Sequence, residues 1–313
     1  MERFNLAESV IKTSMNHFKS KDISTYSELI WPMPGETTTT LTQGMQRLID
    51  LGQEDFVMVH PLVLTPNAPM GQPDYIKQHK LQCKEVPLDT FWLKVEDPED
   101  YIVETVFAVY GTECATQQET VDGHMFAHWL IVMYYYGWAH FVMKYLKNKL
   151  AVSETEFITD LIKYIKLKKQ GILYSEHVET EHALNDVFDN AGFWGRLIDG
   201  VYWEYKSATC VNFHFNRESL KTELAEFIGY QYNIHDTDLI DLNSDMCFDW
   251  RTQYPIRKQV SSEVTSLCFG IDVTNIDIYH ENNSIKSDTD FVKTVYHYQR
   301  KNRYWKCAVK VFE

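Results

Sequence analysis

The clearest hydrophobic pattern in the chain lies between Tyr26 and Met70. A short apolar run, Leu29 to Trp31, stops at two prolines, and apolar residues then recur at helical spacing as far as Gly52. A second apolar run, Phe56 to Leu64, ends at another proline-rich stretch. Because proline cannot donate a hydrogen bond within a sheet, both runs are predicted as strands that end there. The order is therefore strand, turn, helix, strand and turn.

The ends of these elements carry recognisable residues. Gly35 permits a turn that other residues resist, and Thr37 to Thr40 offer hydroxyl groups that cap a helix. The nearly continuous apolar run from Phe56 to Leu64 is typical of a strand covered on both faces. Two strands joined by a crossover helix are expected to be parallel, with ligands at their carboxyl ends. The two turns are predicted at that edge, either as ligand-binding loops or merely as tight turns.

Both turns resemble motifs of radical SAM enzymes, including those with a cobalamin-binding domain. Many members carry a strand that ends in Gly-Leu-Pro-Gly-Glu-Thr and, in the next unit, a strand that ends in Leu-Pro-Asn-Thr-Pro-Met. The counterparts here are Trp31 to Thr37 (WPMPGET) and Leu64 to Met70 (LTPNAPM). The N-terminal Glu2 to Asn5 (ERFN) is similar to an Arg-x-Asn piece that follows the preceding strand. The resemblance covers roughly residues 1–70, with a fainter likeness in residues 86–147.

This resemblance implies the last strands of a radical SAM β/α barrel, followed by the family's helical C-terminal region. It also implies cleavage of S-adenosylmethionine to a 5′-deoxyadenosyl radical, then hydrogen abstraction or methyl transfer on a small-molecule substrate. Arg3, Glu28, Gly35, Glu36 and Asn67 are then expected near cofactor or substrate. By polarity, Arg3 would neutralise a carboxylate, while Glu28 and Asn67 would bind hydroxyl groups.

The cysteines depart from the family pattern. The family holds its four-iron, four-sulfur cluster with a Cys-x3-Cys-x2-Cys loop, and no such loop occurs in this chain. The six cysteines are widely scattered: Cys83, Cys114, Cys210, Cys247, Cys268 and Cys307. In addition, Trp31 or Pro32 replaces a family glycine, close to where the resemblance places adenine. S-adenosylmethionine is thus implied for this chain, whereas the cluster and cobalamin are implied only through a missing upstream part.

Several interpretations remain open. In the first, an upstream chain or domain completes the barrel and supplies the cluster, and this chain is inactive without it. In the others, the chain is a fragment, or it has lost the family's chemistry. The alternative functions are a non-catalytic binding or assembly subunit and a structural helical remnant. For the assembly subunit, the exposed parallel strands would pair with a partner, since proteins normally cover a free sheet edge.

The remaining pattern predicts three parts: a partial β/α barrel segment at residues 1–85, a mainly helical domain at 86–235 and a small α+β appendage at 236–313. Amphipathic helices are expected from Leu6 to Lys19 and, after a cap at Ser153, from Glu154 to Gln170. Further helices are expected in residues 181–232, and an antiparallel pair of strands in the tail. An aromatic cluster is interpreted as core rather than as a stacking platform: Phe193, Trp194, Tyr202, Trp203 and Tyr205.

The stretch from Met125 to Met143 has no formally charged residue apart from two histidines, which raises the question of a membrane segment. Its tyrosines, tryptophans and Gly137 favour a buried helix over membrane insertion. The net charge of −14 argues against sequence-independent nucleic-acid binding, which needs a basic face. Scattered cysteines fit a reducing cytoplasm, and no signal peptide is recognisable.

Two other sets of residues have metal-ligand spacing. His124 and His128 lie one helical turn apart, with Asp122 as a possible third ligand. Glu179-x2-His182, with neighbouring Glu176 and His177, resembles half of a di-iron motif, but no second copy occurs. Buried histidines and a charged helix surface are the favoured interpretations. No nucleophile elbow, Walker loop or dinucleotide fingerprint is present.

Overall fold

The computed structural model describes residues 7–21, 23, 25–53, 56–88, 104–198, 201–235, 238–246, 264–269 and 294–299. Arg3 lies outside these residues. The chain divides into two compact units. The first comprises Met1–Ile131, Val178–Leu197 and Tyr202–Tyr205, and the second comprises Val132–His177, Ile198–Val201 and Lys206–Glu313. The predicted division at residues 85 and 235 stays a prediction.

The first unit begins with the predicted alternation of helices and strands. Helix α1 (Glu8–Ser20) is followed by β1 (Tyr26–Trp31), α2 (Thr38–Asp50) and β2 (Phe56–Pro61). The two strands are parallel, with Tyr26 opposite Phe56 and Trp31 opposite Pro61. Thr37 caps α2 in a reciprocal pair of hydrogen bonds with Thr40. The predicted parallel strand pair with an intervening helix is therefore confirmed.

The second apolar run does not form the single strand predicted for it. Leu62 donates its N–H to the carbonyl oxygen of Trp31, while its own carbonyl accepts from Val109. In a regular strand both groups of a residue point to the same neighbour, so the strand is interrupted at Leu62. Strand β3 (Val63–Leu64) then joins a three-stranded antiparallel sheet with β4 (Gln82–Pro87) and β5 (Thr105–Gly111), in the order β3-β5-β4.

The expectation that this run is covered on both faces is also wrong. Val57 and Val59 of β2 are 0% and 1% exposed, but Phe56, Met58 and His60, which alternate with them, are only half-buried. Helix α2 buries Leu41, Met45 and Ile49, and the carbonyl oxygen of Thr120 in helix α4 (Gln117–Leu130) accepts a hydrogen bond from Trp31 on the covered face. One layer of helix therefore covers one face of the β1–β2 pair.

A separate apolar cluster lies beneath the three-stranded sheet. It comprises Leu62, Leu64, Leu81 and Val109. Two short helical segments follow β3 in the chain: a 3₁₀ turn at Pro69–Gly71 and helix α3 (Pro73–Gln78). An added Cβ at Gly71 would overlap the carbonyl oxygen of Thr65, so this turn requires glycine for its close backbone approach.

The uncharged stretch from residue 125 to 143 is buried, but it is not one helix as predicted. Helix α4 (Gln117–Leu130) continues as a π-helical turn (Ile131–Tyr135), and α5 (His140–Leu150) starts after a break. Gly137 lies in that break with φ of 90°. Among the described residues, no helix combines the length and the apolar character needed to cross a bilayer.

Most remaining elements are helical. They are α6 (Glu154–Lys168), α7 (Gly171–Asn190), α8 (Tyr205–Phe215), α9 (Arg217–Tyr232) and α10 (Asp238–Met246). Ser153 caps α6 as predicted. Strands β6 (Gly195–Ile198) and β7 (Val201–Glu204) form a small sheet within residues 181–232, where further helices were expected. In the tail, β8 (Val264–Phe269) and β9 (Thr294–Gln299) pair antiparallel, as predicted for that region.

Candidate functional site on the open face of the parallel strands

The β1–β2 pair has one covered face and one open face. Trp31, Val57 and Val59 on the covered face are essentially inaccessible. On the opposite face, Tyr26 is 67% exposed and Ile30 is 41% exposed. Parallel sheets are normally covered on both faces, because their crossover connections place helices there. The open face is therefore a surface on which another group can bind.

Two polar side chains meet on this open face. Glu28 and His60 share it, and Oε1 of Glu28 lies 3.3 Å from Nε2 of His60. Their side chains are 54% and 38% exposed, so both groups can also reach a ligand. A carboxylate beside an imidazole can accept hydrogen bonds from hydroxyl groups and can move a proton. Sequence reasoning selected Glu28 and missed His60.

A signal for His60 was present in the sequence. It alternates with Val57 and Val59, and the two valines lie on the buried side of β2. In a strand, alternate residues share a face, so a polar residue out of phase with buried valines points to the open face. The assumption that both faces were covered concealed this signal.

The first turn leads directly from this face to α2. The Trp31–Pro32 peptide bond is cis, and Gly35 adopts a φ of 83°, as the predicted turn required. The N–H of Glu36 donates a 3.0 Å hydrogen bond to the carbonyl oxygen of Met33. Partial burial raises the pKa of the Glu36 carboxyl above its usual range. Glu36 therefore stays protonated to a higher pH than an exposed glutamate.

The second turn follows β3 rather than β2. Asn67 is exposed there, and Nε2 of Gln72 donates a 2.9 Å hydrogen bond to the carbonyl oxygen of Pro66. Because β3 pairs antiparallel with β5, this turn caps a strand of the other sheet. Met33 from the first turn and Met70 from the second nevertheless pack against the same apolar cluster. The structure thus brings both turns to one cluster, through side chains that the sequence reasoning did not select.

The side chain of Trp31 lies on the covered face of the strand pair. Its indole is fully buried on the covered face, and Nε1 donates a 2.9 Å hydrogen bond to the carbonyl oxygen of Thr120 in α4. Neighbouring Ile30 projects to the open face instead. The bulky replacement therefore does not obstruct the face that carries Glu28 and His60.

The described cysteines do not fit an iron–sulfur cluster. Cys83 is half-buried, Cys114 is exposed and Cys210 is buried, and burial raises the pKa of the Cys83 thiol. A cluster needs deprotonated thiolates gathered at one place. Within the described parts of the chain, no three cysteine, histidine or acidic side chains are gathered closely enough to hold a metal ion.

The two histidine motifs have different surroundings. His124 and His128 are fully buried, with the ring of His124 4.9 Å from that of Trp194 and the ring of His128 5.4 Å from that of Tyr205. Asp122 is half-exposed and accepts a 3.2 Å hydrogen bond from Gln118 on its own helix. The structure therefore does not bring Asp122 to the histidines as a third ligand.

On α7, the residues of the half di-iron motif face in different directions. Glu179 and His182 are exposed, whereas Glu176 and His177 are buried. Glu176 accepts a 2.9 Å hydrogen bond from Asn212 of α8. These four side chains do not converge on one site.

Comparison with known proteins gives a coarse relationship. No protein-family model matches the chain. It is 23% identical over 189 residues to 2-(S-pantetheinyl)-carbapenam-3-carboxylate methyltransferase of Streptantibioticus cattleyicolor. It is 22% identical over 189 residues to the cobalamin-dependent radical SAM methyltransferase TokK of Streptomyces tokunonensis. Each match covers 60% of this chain but only 27% of the relative. The chain is thus distantly related to radical SAM and methyl-transfer proteins, and it spans about a quarter of their length.

Proposed function

We propose that this chain is the C-terminal portion of a radical SAM methyltransferase of the cobalamin-dependent type, acting on a small molecule. The observation that carries the proposal is the 189-residue similarity to TokK and to a second methyltransferase. The resemblance of the turns around Gly35 and Asn67 to radical SAM motifs also supports it. The last strands of a partial β/α barrel are the fold proposed for residues 1–85.

The chain's own contribution is the open face and the turn beside it. Glu28 and His60 accept and donate hydrogen bonds there, and they would orient hydroxyl groups of the cofactor or substrate. Glu36, with its raised pKa, would donate a hydrogen bond while protonated. Arg3 and Asn67 complete the proposed set. The helices over the covered face hold β1 and β2 in place.

The cluster and cobalamin would come from another part of the assembly. The described cysteines are too scattered to hold four irons, so the proposal assigns no step of the reaction to a cluster on this chain. When bound, S-adenosylmethionine supplies the transferable methyl group and the precursor of a radical. The partner proposed for the chain is an upstream polypeptide or domain that completes the barrel.

A chimera tests this function. The stretch of TokK that matches this chain is replaced by the corresponding residues of this chain, and cleavage of S-adenosylmethionine to 5′-deoxyadenosine is measured under anaerobic conditions. We expect a cluster-loaded chimera that cleaves S-adenosylmethionine. The variants Glu28→Gln and His60→Phe would each lose hydrogen bonds to a cofactor. In each variant the cleavage rate should fall roughly tenfold while the iron content is retained.

The chain offers a matched control for this experiment. His79 and Glu113 form another partly exposed pair, with Nδ1 and Oε1 3.2 Å apart, away from the parallel strands. Glu113→Gln should leave cleavage unchanged. Equal losses in Glu28→Gln and Glu113→Gln would contradict a specific role for the open face.

The alternative is a non-catalytic assembly subunit, which is favoured by the scattered cysteines. A folded chimera that binds its cluster but does not cleave S-adenosylmethionine would support this alternative. Anaerobic iron–sulfur reconstitution of the chain alone should give no four-iron absorption spectrum. A stable four-iron signal would refute the argument from the cysteines.

A further inference from the structure

A cleft in the second compact unit is bounded by helices α5, α9 and α10. Its apolar lining comes from α9, α10 and the break before α5: Trp138, Leu220, Leu224 and Ile240. Arg217 and Lys221 of α9 also line it. Ligand sites in proteins commonly combine a mainly apolar lining with a few polar groups that orient the ligand. The cleft has this composition.

The backbone beside the cleft is irregular. The π-helical turn Ile131–Tyr135 ends shortly before Trp138, and turns of this kind are frequent at functional sites. Asn243 of α10, which also lines the cleft, accepts a 3.0 Å hydrogen bond from the N–H of Phe141. The cleft therefore lies at a helix break that a residue far away in the sequence stabilises.

The size of the cleft restricts what it can bind. It has a volume of about 280 Å³ measured out to its open mouth, and only about 10 Å³ of this admits the centre of a water molecule. Pockets for larger ligands have volumes of about 300–1,000 Å³. The cleft is thus narrow, and it suits a small ligand with a flat body.

Two cationic side chains define the polar side of the cleft. Arg217 and Lys221 are one helical turn apart on α9 and therefore share a face. Nε of Arg217 donates a 2.9 Å hydrogen bond to Oγ of Ser244, and Nη2 donates to the carbonyl oxygen of the same residue. These two bonds fix the plane of the guanidinium group. A fixed guanidinium group beside an ammonium group is well suited to bind a carboxylate.

The ammonium group of Lys221 already binds a carboxylate of the protein. Oδ1 of Asp241 lies 2.7 Å from Nζ of Lys221, and the two side chains are 50% and 28% exposed. A solvent-exposed ion pair contributes little to stability, so a ligand carboxylate can compete with Asp241 at small cost. The chain has a formal net charge of −14, which repels anions elsewhere on the surface. A local pair of cations is therefore needed for an anionic ligand.

We propose that the cleft between α9 and α10 binds a small carboxylic acid with a flat apolar body. The carboxylate lies against Arg217 and Lys221, and the body lies against Trp138 and Leu220. The cations account for the charge of the ligand, and the narrow apolar walls account for its shape. The inference goes beyond the proposed function and does not depend on it.

The first experiment compares three probes on the full chain. Benzoate has the charge and the flat body, benzamide has the body without the charge, and inorganic phosphate has charge without an apolar body. Calorimetry should show one benzoate per chain with a dissociation constant on the order of 1 mM, the scale for a ligand of this size. The other two probes should bind about tenfold more weakly or less. In NMR spectra, benzoate should shift the indole N–H signal of Trp138.

The second experiment separates binding by Lys221 from its structural contact with Asp241. Lys221→Met should weaken benzoate binding about tenfold, whereas Lys221→Arg should retain most of it. Asp241→Asn should bind benzoate at least as tightly as the parent, because no protein carboxylate then competes. Lys163→Met is the control, since Lys163 is 71% exposed on α6, outside the cleft, and its loss should change nothing.

The outcomes decide the proposal in both directions. Absence of benzoate binding, or a Trp138 signal that does not move, would overturn it. Equal binding of benzamide or phosphate would also overturn it, because one half of the lining would then have no role. If Asp241→Asn weakens binding as much as Lys221→Met does, Lys221 acts only by holding α10, and the proposal is wrong. If circular dichroism shows that Lys221→Met is unfolded, the three probes and Asp241→Asn decide.

Discussion

The indole of Trp31 lies directly on Gly123, and its nitrogen donates a 2.9 Å hydrogen bond to the carbonyl oxygen of Thr120. Both Trp31 and Gly123 are buried. An added Cβ at Gly123 would overlap the indole nitrogen. Strand β1 and helix α4 therefore pack closely, because the large side chain of Trp31 on the strand lies against Gly123 on the helix, which has no side chain.

Gly123→Ala should destabilise the protein. Neither the buried indole nor the backbone of α4 can move away freely, so we expect a loss of about 1–3 kcal/mol in the free energy of unfolding. Denaturant unfolding measures this change. The control is Gly44→Ala in α2, where nothing lies within 4 Å of an added Cβ. It should stabilise the protein by about 0.5–1 kcal/mol, because alanine restricts the unfolded chain. Equal effects at the two positions would contradict the close packing of Trp31.

Gly171→Ala should be more damaging than Gly137→Ala. Both glycines have a positive φ, 86° and 90°, which costs alanine about 1–2 kcal/mol. Only at Gly171 would the added Cβ overlap the carboxylate of Glu223, which accepts hydrogen bonds from the N–H groups of Ile172 and Leu173. The difference in melting temperature between the two variants measures the disruption of this N-terminal cap on α7. Identical melting temperatures would refute the role of Glu223.

Stability should fall below neutral pH because of His177. Burial, with a smaller effect from Lys166, lowers the pKa of His177 to about 4 from an ordinary value of 6.5. The unfolded chain therefore binds a proton as the pH falls below 6.5, whereas the folded chain does so only near pH 4. Stability is complete above pH 6.5 and is lost between 6.5 and 4, by up to about 3 kcal/mol.

His177→Gln tests this pH dependence. Its free energy of unfolding should change less between pH 7 and pH 5 than that of the parent protein. His182→Gln, on the exposed side of the same helix, should retain the parent's pH dependence. A parent and a His177→Gln variant with parallel pH profiles would show that His177 does not cause the effect.

Asn243 should stabilise the break before α5. Its Oδ1 accepts a 3.0 Å hydrogen bond from the N–H of Phe141, and its Nδ2 donates to the carbonyl oxygens of Gly137 and Trp138. Asn243→Ala leaves these backbone groups without that partner, at a cost of about 1–3 kcal/mol by chemical denaturation. Exposed Asn216 donates a hydrogen bond to the carbonyl oxygen of nearby Asn212, and it provides the comparison. Asn216→Ala should cost much less, and an equal cost would argue against burial as the cause.

The helix caps and the parallel strand pair were predictable because their signals are local. Thr37 and Ser153 act through N–H groups of residues nearby in sequence, so a short window contains the whole interaction. The prediction of one continuous buried helix from residue 125 to 143 was wrong. The break before α5 is stabilised by a hydrogen bond to Asn243, which lies on a helix far away in the sequence. No window around Gly137 contains that partner.

The candidate site was predictable only in part, for the same reason. Gly35 and Glu36 could be selected from the turn motif, and Glu28 from the resemblance, whereas His60 emerged only when one face of the strands proved open. Local alternation shows which residues share a face. It does not show which face will be covered, because that depends on helices elsewhere in the chain.

The sequence by itself determined the parallel pairing of β1 and β2, the helix caps at Thr37 and Ser153, and the resemblance to radical SAM enzymes. Tertiary structure decided that Trp31 is buried against Gly123, that Leu62 divides a strand between two sheets, and that Glu28 meets His60. The reason is that periodicity and capping involve neighbours along the chain. Burial is a property of the segments that folding brings together, and only their packing shows which surface remains free for a partner.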